Sequence, residues 1–367
     1  MHDEAAMQRA VALGEGARRR SAPNPWVGSV IVDADGTVVG EGATHEPGGP
    51  HAEIEALAQA GERSRGSTLF TTLEPCSHTG RTPPCVGPIV AAGIRRVVAA
   101  LEDPDARVTG NGIAHLRAAG VEVVTGIGAE SAARSLAPYL VQRRLGRSFT
   151  LLKTASSIDG RVAAADGSSQ WITGAAARAD AHGLRADSQA VVIGSGTALA
   201  DRPSLTARDV EPPAVRQPLR VLLDGRGRVP ATGSLFDPDL ALTLVVTTER
   251  APAAAIDAWS AAGAKVEVLP TGLGGVGIDL RLALELLAGL GVLQALVEGG
   301  PALHAALIEV DLADRLVAYV APTWLGTSGA PMFPTGGPST LGDAARWRLL
   351  DVRAVGADAR LELEPVR

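Results

Sequence analysis

The feature that most constrains the fold of this 367-residue chain is a repeated exchange of periodicity, strand-length apolar runs giving way to stretches with helical spacing. Helical AAMQRAVALGEGA is followed by the alternating runs WVGSVIVD and TVVGEGAT, joined at Ala34-Asp35-Gly36 as a hairpin. HAEIEALAQAG predicts a helix, with Ile54, Leu57 and Ala58 on one face, Pro50 just before it and Gly61 closing it. A strand STLFTTL, helix VGPIVAAG, strand RRVVAAL, helix GIAHLRAAG and strand VEVVTG complete a mixed sheet covered by helices. Polar, basic residues interrupt the pattern at QRRLGRS (142–148), and it restarts at LLKTASS. The strands QAVVIGS, LRVLLDG, LTLVVTT, KVEVLP, LQALVEG and LVAYVAP then alternate with helices such as ALHAALIEV. A chain this long seldom shares one core, so two α/β domains are expected, 1–146 and 147–367. EPPAVRQP and PMFPTGGPS read as loops.

Composition narrows the function classes. With 46% apolar and 20% charged residues the chain is globular rather than disordered, and with 3% aromatics its core must be aliphatic. A formal charge of -6 argues against affinity for a phosphate backbone, so no nucleic-acid partner is expected. The start, MHDEAAMQRA, has acids where a signal peptide needs a basic region. The most apolar window, LRLALELLAGLGVLQALV (280–297), is broken by Arg281, Glu285, Gln294 and three glycines, which suits a buried helix and strand better than a membrane span. A cytoplasmic protein without membrane partners is expected.

The only two cysteines share one loop, LEPCSHTGRTPPC (73–85). A disulfide, two unrelated thiols and two ligands of one metal are the competing readings, and lone disulfides are rare in the cytoplasm. Upstream lies Pro-His-Ala-Glu (50–53), and His-x-Glu followed by Pro-Cys and a second Cys is the zinc-deaminase signature. Zinc in a catalytic site takes three protein ligands and leaves a fourth position to water. His51, Cys76 and Cys85 fill those places, His51 and Cys85 at helix starts. Bound water then ionises near pH 7, with Glu53 as the expected proton carrier. His51 and Glu53 are two residues apart, so both must reach forward from the first helical turn. His2, His115 and His304 read as surface or packing residues, while His45 and His78 are the spare histidines close to the metal loops. If zinc were structural it would want a fourth protein ligand, and those two are the candidates.

Nucleic-acid deaminases typically place two residues between these cysteines; here there are eight. The text EPCSHTGRTPPC, with Asn24-Pro25, Val27-Gly28 and Pro50-His51-Ala52-Glu53, resembles the bifunctional riboflavin-biosynthesis deaminase-reductase family. The resemblance continues through Lys153 to Gly160, Ser169-Gln-Trp171, Arg185, Gly194-Ser-Gly196-Thr197, Asp201 to Arg208 and Val297-Glu298-Gly-Gly300. It implies a cytidine-deaminase-like three-layer α/β/α domain, then a dihydrofolate-reductase-like α/β domain using NADPH. The reaction it implies removes an amino group from a pyrimidine ribotide and then reduces the ribosyl chain to ribityl. Two departures bear on substrate contacts. Thr44, with His45 beside it, stands where the family often has histidine, and Asp103-Pro104-Asp105 stands for Asp-Pro-Asn. The alternative is a zinc deaminase of another base whose second domain only binds a ligand.

In the second half, Glu298-Gly299-Gly300-Pro301 turns from a strand into a helix, where glycine permits close backbone approach to phosphate. Alone it reads as a tight turn; the resemblance assigns Gly300 to the cofactor. Arg185 and Arg208 are candidates to grip the ribose phosphate with guanidinium forks. The resemblance adds Asn24, Ser169, Leu205 and Glu298 as substrate contacts and Ala155, Trp171, Thr197 and Asp201 as NADPH contacts. Lys153 is the candidate for moving a proton as the sugar opens. Gly272-Leu-Gly274-Gly-Val-Gly277 matches G-x-G-x-x-G, but at 43 glycines in 367 residues roughly 0.6 chance matches are expected, and it carries no weight. A homo-oligomer is the expected assembly.

Overall fold

The computed structural model describes residues 1–105, 108–272, 275, 277–334 and 339–366. The chain divides into two compact units, Met1–Gly146 and Arg147–Arg367. The first contains α1 (Asp3–Ser21), β1 (Gly28–Val32), β2 (Val38–Ala43), α2 (Ala52–Ala60), β3 (Thr68–Thr71), α3 (Val86–Ala91), β4 (Arg96–Ala99), α4 (Asn111–Ala118), β5 (Glu122–Thr125), α5 (Ala129–Ser135) and α6 (Ala137–Leu145). Its sheet runs β2-β1-β3-β4-β5, with β1 antiparallel to both neighbours and β3, β4 and β5 parallel.

Strand periodicity builds the layers, because successive side chains face opposite ways. Ile31, Leu69 and Val97 pack with Ala56 of α2, Ile89 of α3 and Leu116 of α4. Their neighbours Val30, Phe70 and Val98 pack on the other side with Ala6, Met7 and Ala10 of α1 and Ala132 of α5. The unit is therefore the expected three-layer α/β/α sandwich.

In α2 Ile54 and Leu57 are half-buried and pack against the core, Ala58 is exposed, and the fully buried residues are Ala52, Glu53, Ala56 and Ala60. The reason is close approach. A Cβ on Gly42 of β2 would sit 2.1 Å from the Ala52 carbonyl oxygen, and one on Gly40 would sit 2.2 Å from that of Ala56. Small residues face the strand, which turns Glu53 inward.

The second unit contains β6 (Phe149–Ser157), β7 (Arg161–Ala163), α7 (Ala175–Ala186), β8 (Ala190–Gly194), α8 (Ser195–Asp201), β9 (Leu219–Leu223), β10 (Thr243–Thr247), α9 (Ala253–Ala261), β11 (Lys265–Val268), α10 (Leu280–Gly289), β12 (Gln294–Val297), α11 (Pro301–Glu309), β13 (Arg315–Ala321), β14 (Ala330–Pro331), β15 (Trp347–Val355) and β16 (Asp358–Pro365). The main sheet runs β11-β10-β9-β8-β12-β6-β13-β16-β15. Strands β11 through β13 in that order are parallel, and β16 and β15 close the sheet antiparallel. An aliphatic core of Leu152, Val192, Val221, Leu244, Leu284 and Leu307 joins strands to helices.

The apolar window at 280–297 is the helix α10 followed by the strand β12. Among the described residues no helix is long and apolar enough to cross a membrane. Of the G-x-G-x-x-G match, residues 273, 274 and 276 lie outside the described residues, as do 335–338 of PMFPTGGPS. At the start of the unit Arg147 is buried, its Nη1 and Nη2 donating to Asp314 carboxylate oxygens at 2.6 and 2.8 Å.

Candidate active sites of the two units

In the first unit three elements converge on one point. His51 is the N-cap of α2, in extended conformation, and Cys85 is the N-cap of α3. Cys76 is brought to them by a loop that closes on itself, the Cys85 amide donating to the Cys76 carbonyl at 3.0 Å. Nδ1 of His51 lies 3.2 Å from Cys85 Sγ and 3.6 Å from Cys76 Sγ. Its Nε2 stands 3.1 Å from Thr82 Oγ1, a bond that leaves the Nδ1 lone pair facing the sulfurs. The three ligand atoms lie within 4.8 Å of one another. Nitrogen and two sulfurs at this spacing fit zinc.

Electrostatics agree. A hydrogen bond from the Cys85 thiol, against burial, draws the Cys76 thiol well below its ordinary range. Donating that bond, together with burial, pushes the Cys85 thiol up. A dication favours the ionised form of both. Glu53, in the first turn of α2, is buried at 4% exposure, and burial raises it to about 7 while the neighbouring His51 charge opposes. A carboxyl so poised can both take and give a proton near neutrality.

A cavity of about 440 Å³ opens over this group, lined by Asn24, Glu53, His78, Arg81, Tyr139 and Arg143 among others. His45 is not among its lining residues; its Nε2 pairs with Glu55 Oε1 at 3.0 Å. Thr44 does line it and accepts the Val27 amide at 3.1 Å. Among the described residues the metal-binding group holds three ligands, the number of a catalytic rather than a structural site.

Two supporting residues escaped the sequence reading. The buried carboxylate of Glu74, two residues before Cys76, accepts amides of Asp103, Gly110, Gly112 and Ile113 at 2.9 to 3.2 Å, anchoring the cysteine loop to the start of α4. Its place beside Pro75-Cys76 was the available signal. Tyr139 donates to Asp103 at 2.9 Å, and nothing in sequence spacing joins these two.

In the second unit Thr197, Glu298 and Gly300 follow the carboxyl ends of β8 and β12, where open α/β sheets bind ligands, and Lys153 of β6 lies one residue past the Leu152–Val297 pair that ends β12. Lys153 and Ala155 share a face of β6. Glu298 follows β12, and Arg185 of α7 meets it at 2.5 and 2.8 Å. Burial opposes ionisation of Glu298, but Arg185 and Lys153 hold it down to about 2. Burial lowers Lys153, with Glu298 opposing. Thr197 of α8 and Gly300, the N-cap of α11, are adjacent, since a Cβ on Gly300 would lie 3.1 Å from Thr197 Oγ1. That glycine turn against a hydroxyl is a fitting seat for dinucleotide phosphates. Asp201 ends α8 and acts electrostatically on Lys153.

Arg185, a candidate for the ribose phosphate, pairs here with Glu298, and its Nη1 also donates to the Thr206 carbonyl at 3.0 Å. Arg208 is the exposed arginine of the pair and donates to Ser204 Oγ at 3.2 Å. Leu205 between them is buried at a φ of 55°, a strained conformation for a branched side chain. Ser169 lies half-buried in a loop, and Trp171 is 67% exposed with the Arg178 guanidinium 4.5 Å above its ring.

Residues 1–101 match the family described as cytidine and deoxycytidylate deaminase zinc-binding region, and residues 148–361 match the RibD C-terminal domain. The riboflavin biosynthesis protein RibD of Chlamydia pneumoniae is 46% identical over 327 residues, covering 89% of this chain and 86% of the relative. That of Escherichia coli is 38% identical over 373 residues, covering 99% of each. Among solved structures, Acinetobacter baumannii RibD superposes with a TM-score of 0.88 at 38% identity, over 99% of both chains. A Thermotoga maritima diaminohydroxyphosphoribosylaminopyrimidine deaminase/5-amino-6-(5-phosphoribosylamino)uracil reductase gives 0.83 at 30% identity, over 99% of this chain and 98% of its own. A three-ligand metal site in a deaminase-like unit, followed by a reductase unit, and relatives matched end to end leave one conclusion: the chain belongs to the RibD family of riboflavin biosynthesis proteins, bifunctional enzymes with a deaminase and a reductase domain.

Proposed function

We propose that the first unit hydrolytically deaminates a diaminohydroxyphosphoribosylaminopyrimidine, and that the second reduces the ribosyl chain of the resulting 5-amino-6-(5-phosphoribosylamino)uracil to ribityl with NADPH, the activities named for the Thermotoga maritima relative. The observation that carries this reading is Glu53, buried beside His51, Cys76 and Cys85 at the floor of the cavity.

His51, Cys76 and Cys85 would hold zinc, which would make the attacking water more acidic. Glu53 takes a proton from the attacking water and delivers it to the ring nitrogen as oxygen bonds to the amino-bearing carbon, then takes the second proton from the new hydroxyl and gives it to the amine, which leaves as ammonia as the carbonyl forms. Asn24 orients the pyrimidine from the cavity wall.

In the second unit NADPH supplies the hydride, received by C1′ of the opened ribose. Ala155, Trp171, Thr197, Asp201 and Gly300 hold the cofactor, and Ser169, Arg185, Leu205, Arg208 and Glu298 hold the substrate. Arg185 fixes the Glu298 carboxylate, and Lys153 moves the proton that ring opening requires. Two thiols kept free as ligands suit the cytoplasm, and Leu349 and Val352, exposed on the edge strand β15, support a homo-oligomer.

Replacement of Glu53 by Gln keeps the shape and removes the proton carrier. Zinc content should stay at one per chain while ammonia release falls at least about a hundredfold. Ammonia release at the wild-type rate from the zinc-loaded variant would refute the assignment.

A further inference from the structure

The cavity of the first unit carries charge that the deamination chemistry does not use. Besides Glu53 its lining acids are Glu74, Asp103 and Asp105, and with them stand Tyr139 and Arg143. Tyr139 and Arg143 are four residues apart on α6 and share a helical face. The Tyr139 hydroxyl donates to both Asp103 carboxylate oxygens, at 2.9 and 3.1 Å, and the Asp105 amide donates to one of them at 2.9 Å. The Arg143 guanidinium lies over the Tyr139 ring, 5.1 Å from its centre, and Nε is 3.4 Å from Asp105 Oδ2. An aromatic face on one side and a carboxylate on the other hold this cation in place.

The group is graded in exposure. Tyr139 and Asp103 are 3% and 6% exposed, while the side chains of Asp105 and Arg143 are 10% and 31% exposed, so the ion pair lies on the mouth side of the other two. The acids also differ in what meets them. Glu74 takes four backbone amides, and Asp103 takes a hydroxyl and an amide, all of them neutral donors. Asp105 meets a cation, and it is the acid that stands where the resemblance leads to asparagine. Neutral donors satisfy the lone pairs of a carboxylate and leave its charge in place, whereas an arginine cancels the charge as well. Cancellation matters where a second anion has to come close. A ribotide whose ring sits against Glu53 leads its phosphoribosyl arm toward the mouth, and its phosphate brings about two negative charges.

We infer that Arg143 is a specificity-determining residue of the deaminase: stacked on Tyr139 and paired with Asp105, it cancels the charge of that carboxylate and lets the cavity accept a phosphorylated ribose arm. This rests on the deaminase reading. Tyr139 is the positioning residue of the pair, because its hydroxyl is fixed by Asp103 and its ring carries the guanidinium.

The test is steady-state ammonia release by the zinc-loaded full chain, measured on the ribotide and on the riboside left when a phosphatase removes its phosphate. In Arg143→Gln the ratio of kcat/KM for ribotide to that for riboside should fall about tenfold to a hundredfold, the effect of an uncompensated carboxylate near a like charge, through a higher KM for the ribotide. Adding Asp105→Asn removes that carboxylate, and the double variant should recover most of the ratio. Equal losses on the two substrates, an unchanged ratio, or a double variant no better than the single one would overturn the inference and leave the deaminase reading standing. A wild-type protein that releases ammonia from neither substrate would overturn both.

Discussion

At the scale of single residues, burial does more than sequence type to decide what a side chain can do. His304 reads from sequence as a packing residue, and it is one, 3% exposed with Nε2–H donating to the Val297 carbonyl at 3.1 Å. Burial holds it down to about 4, against that hydrogen bond and with help from the Lys153 charge. In the unfolded chain it takes a proton at about 6.5. Between those values the unfolded state binds more protons, so stability is fully present above the unfolded value and is lost as pH falls toward 4. The loss attributable to this group is about 3 kcal/mol. Urea unfolding of the second unit at pH 7 and pH 4.5 should show it, and His304→Asn, which keeps a donor for Val297, should flatten that part of the pH dependence. An unchanged slope in the variant would mean that other groups carry it. The metal ligands were legible for the opposite reason: their chemistry is carried by rare residue types in one motif. For Arg185 a sequence shows the charge but not Glu298, the partner with which it pairs.

At the scale of elements, Ile54 and Leu57 of α2 pack half-buried against the core, as sequence suggests, while its fully buried apolar positions are small. Ala52, Ala56 and Ala60 lie against Gly40 and Gly42 of β2, where a backbone can approach only if neither side carries bulk. Hydrophobic periodicity has no sign for such contact, because glycine adds nothing to it. The same blindness hid β15, whose residues are mostly exposed along its length and give no buried alternation. The close approach matters to the site, since α2 begins at His51 and carries Glu53 in its first turn. Gly42→Ala puts a methyl 2.1 Å from the Ala52 carbonyl oxygen and 2.7 Å from the Ala56 amide, so α2 must move at its catalytic end. Thermal unfolding should show a cost of about 1 to 3 kcal/mol. Ammonia release should fall about a hundredfold, as expected when a reacting group is displaced by about 1 Å. Gly40→Ala meets Ala56 and Ala60 further along the helix, and should cost comparable stability with a smaller loss of ammonia release. Equal losses of activity in the two variants would mean that the packing stabilises α2 without aiming it.

At the scale of the whole molecule, the basic interruption at 142–148 marked where one pattern of strands and helices stops and another begins, and the two compact units part between Gly146 and Arg147. The sixth residue of that stretch, Arg147, is 2% exposed, and besides Asp314 it reaches the Ser148 carbonyl at 3.1 Å. Asp314 in turn accepts the Thr150 amide at 2.9 Å, in the second residue of β6. One charged residue thus fastens the first strand of the second unit to the approach to β13, so the unit begins at a side chain rather than at a strand. Removing one partner of such a buried pair leaves an uncompensated charge and costs about 3 to 5 kcal/mol, whereas replacing both with apolar groups is often neutral. A fragment of residues 148–367 should therefore unfold in urea with about 3 to 5 kcal/mol less stability than one of 147–367. Arg147→Met in the full chain should lower the same transition, and the further change Asp314→Leu should restore most of it. Equal stability of the two fragments would place the start of the unit after Arg147 and make the ion pair incidental to it.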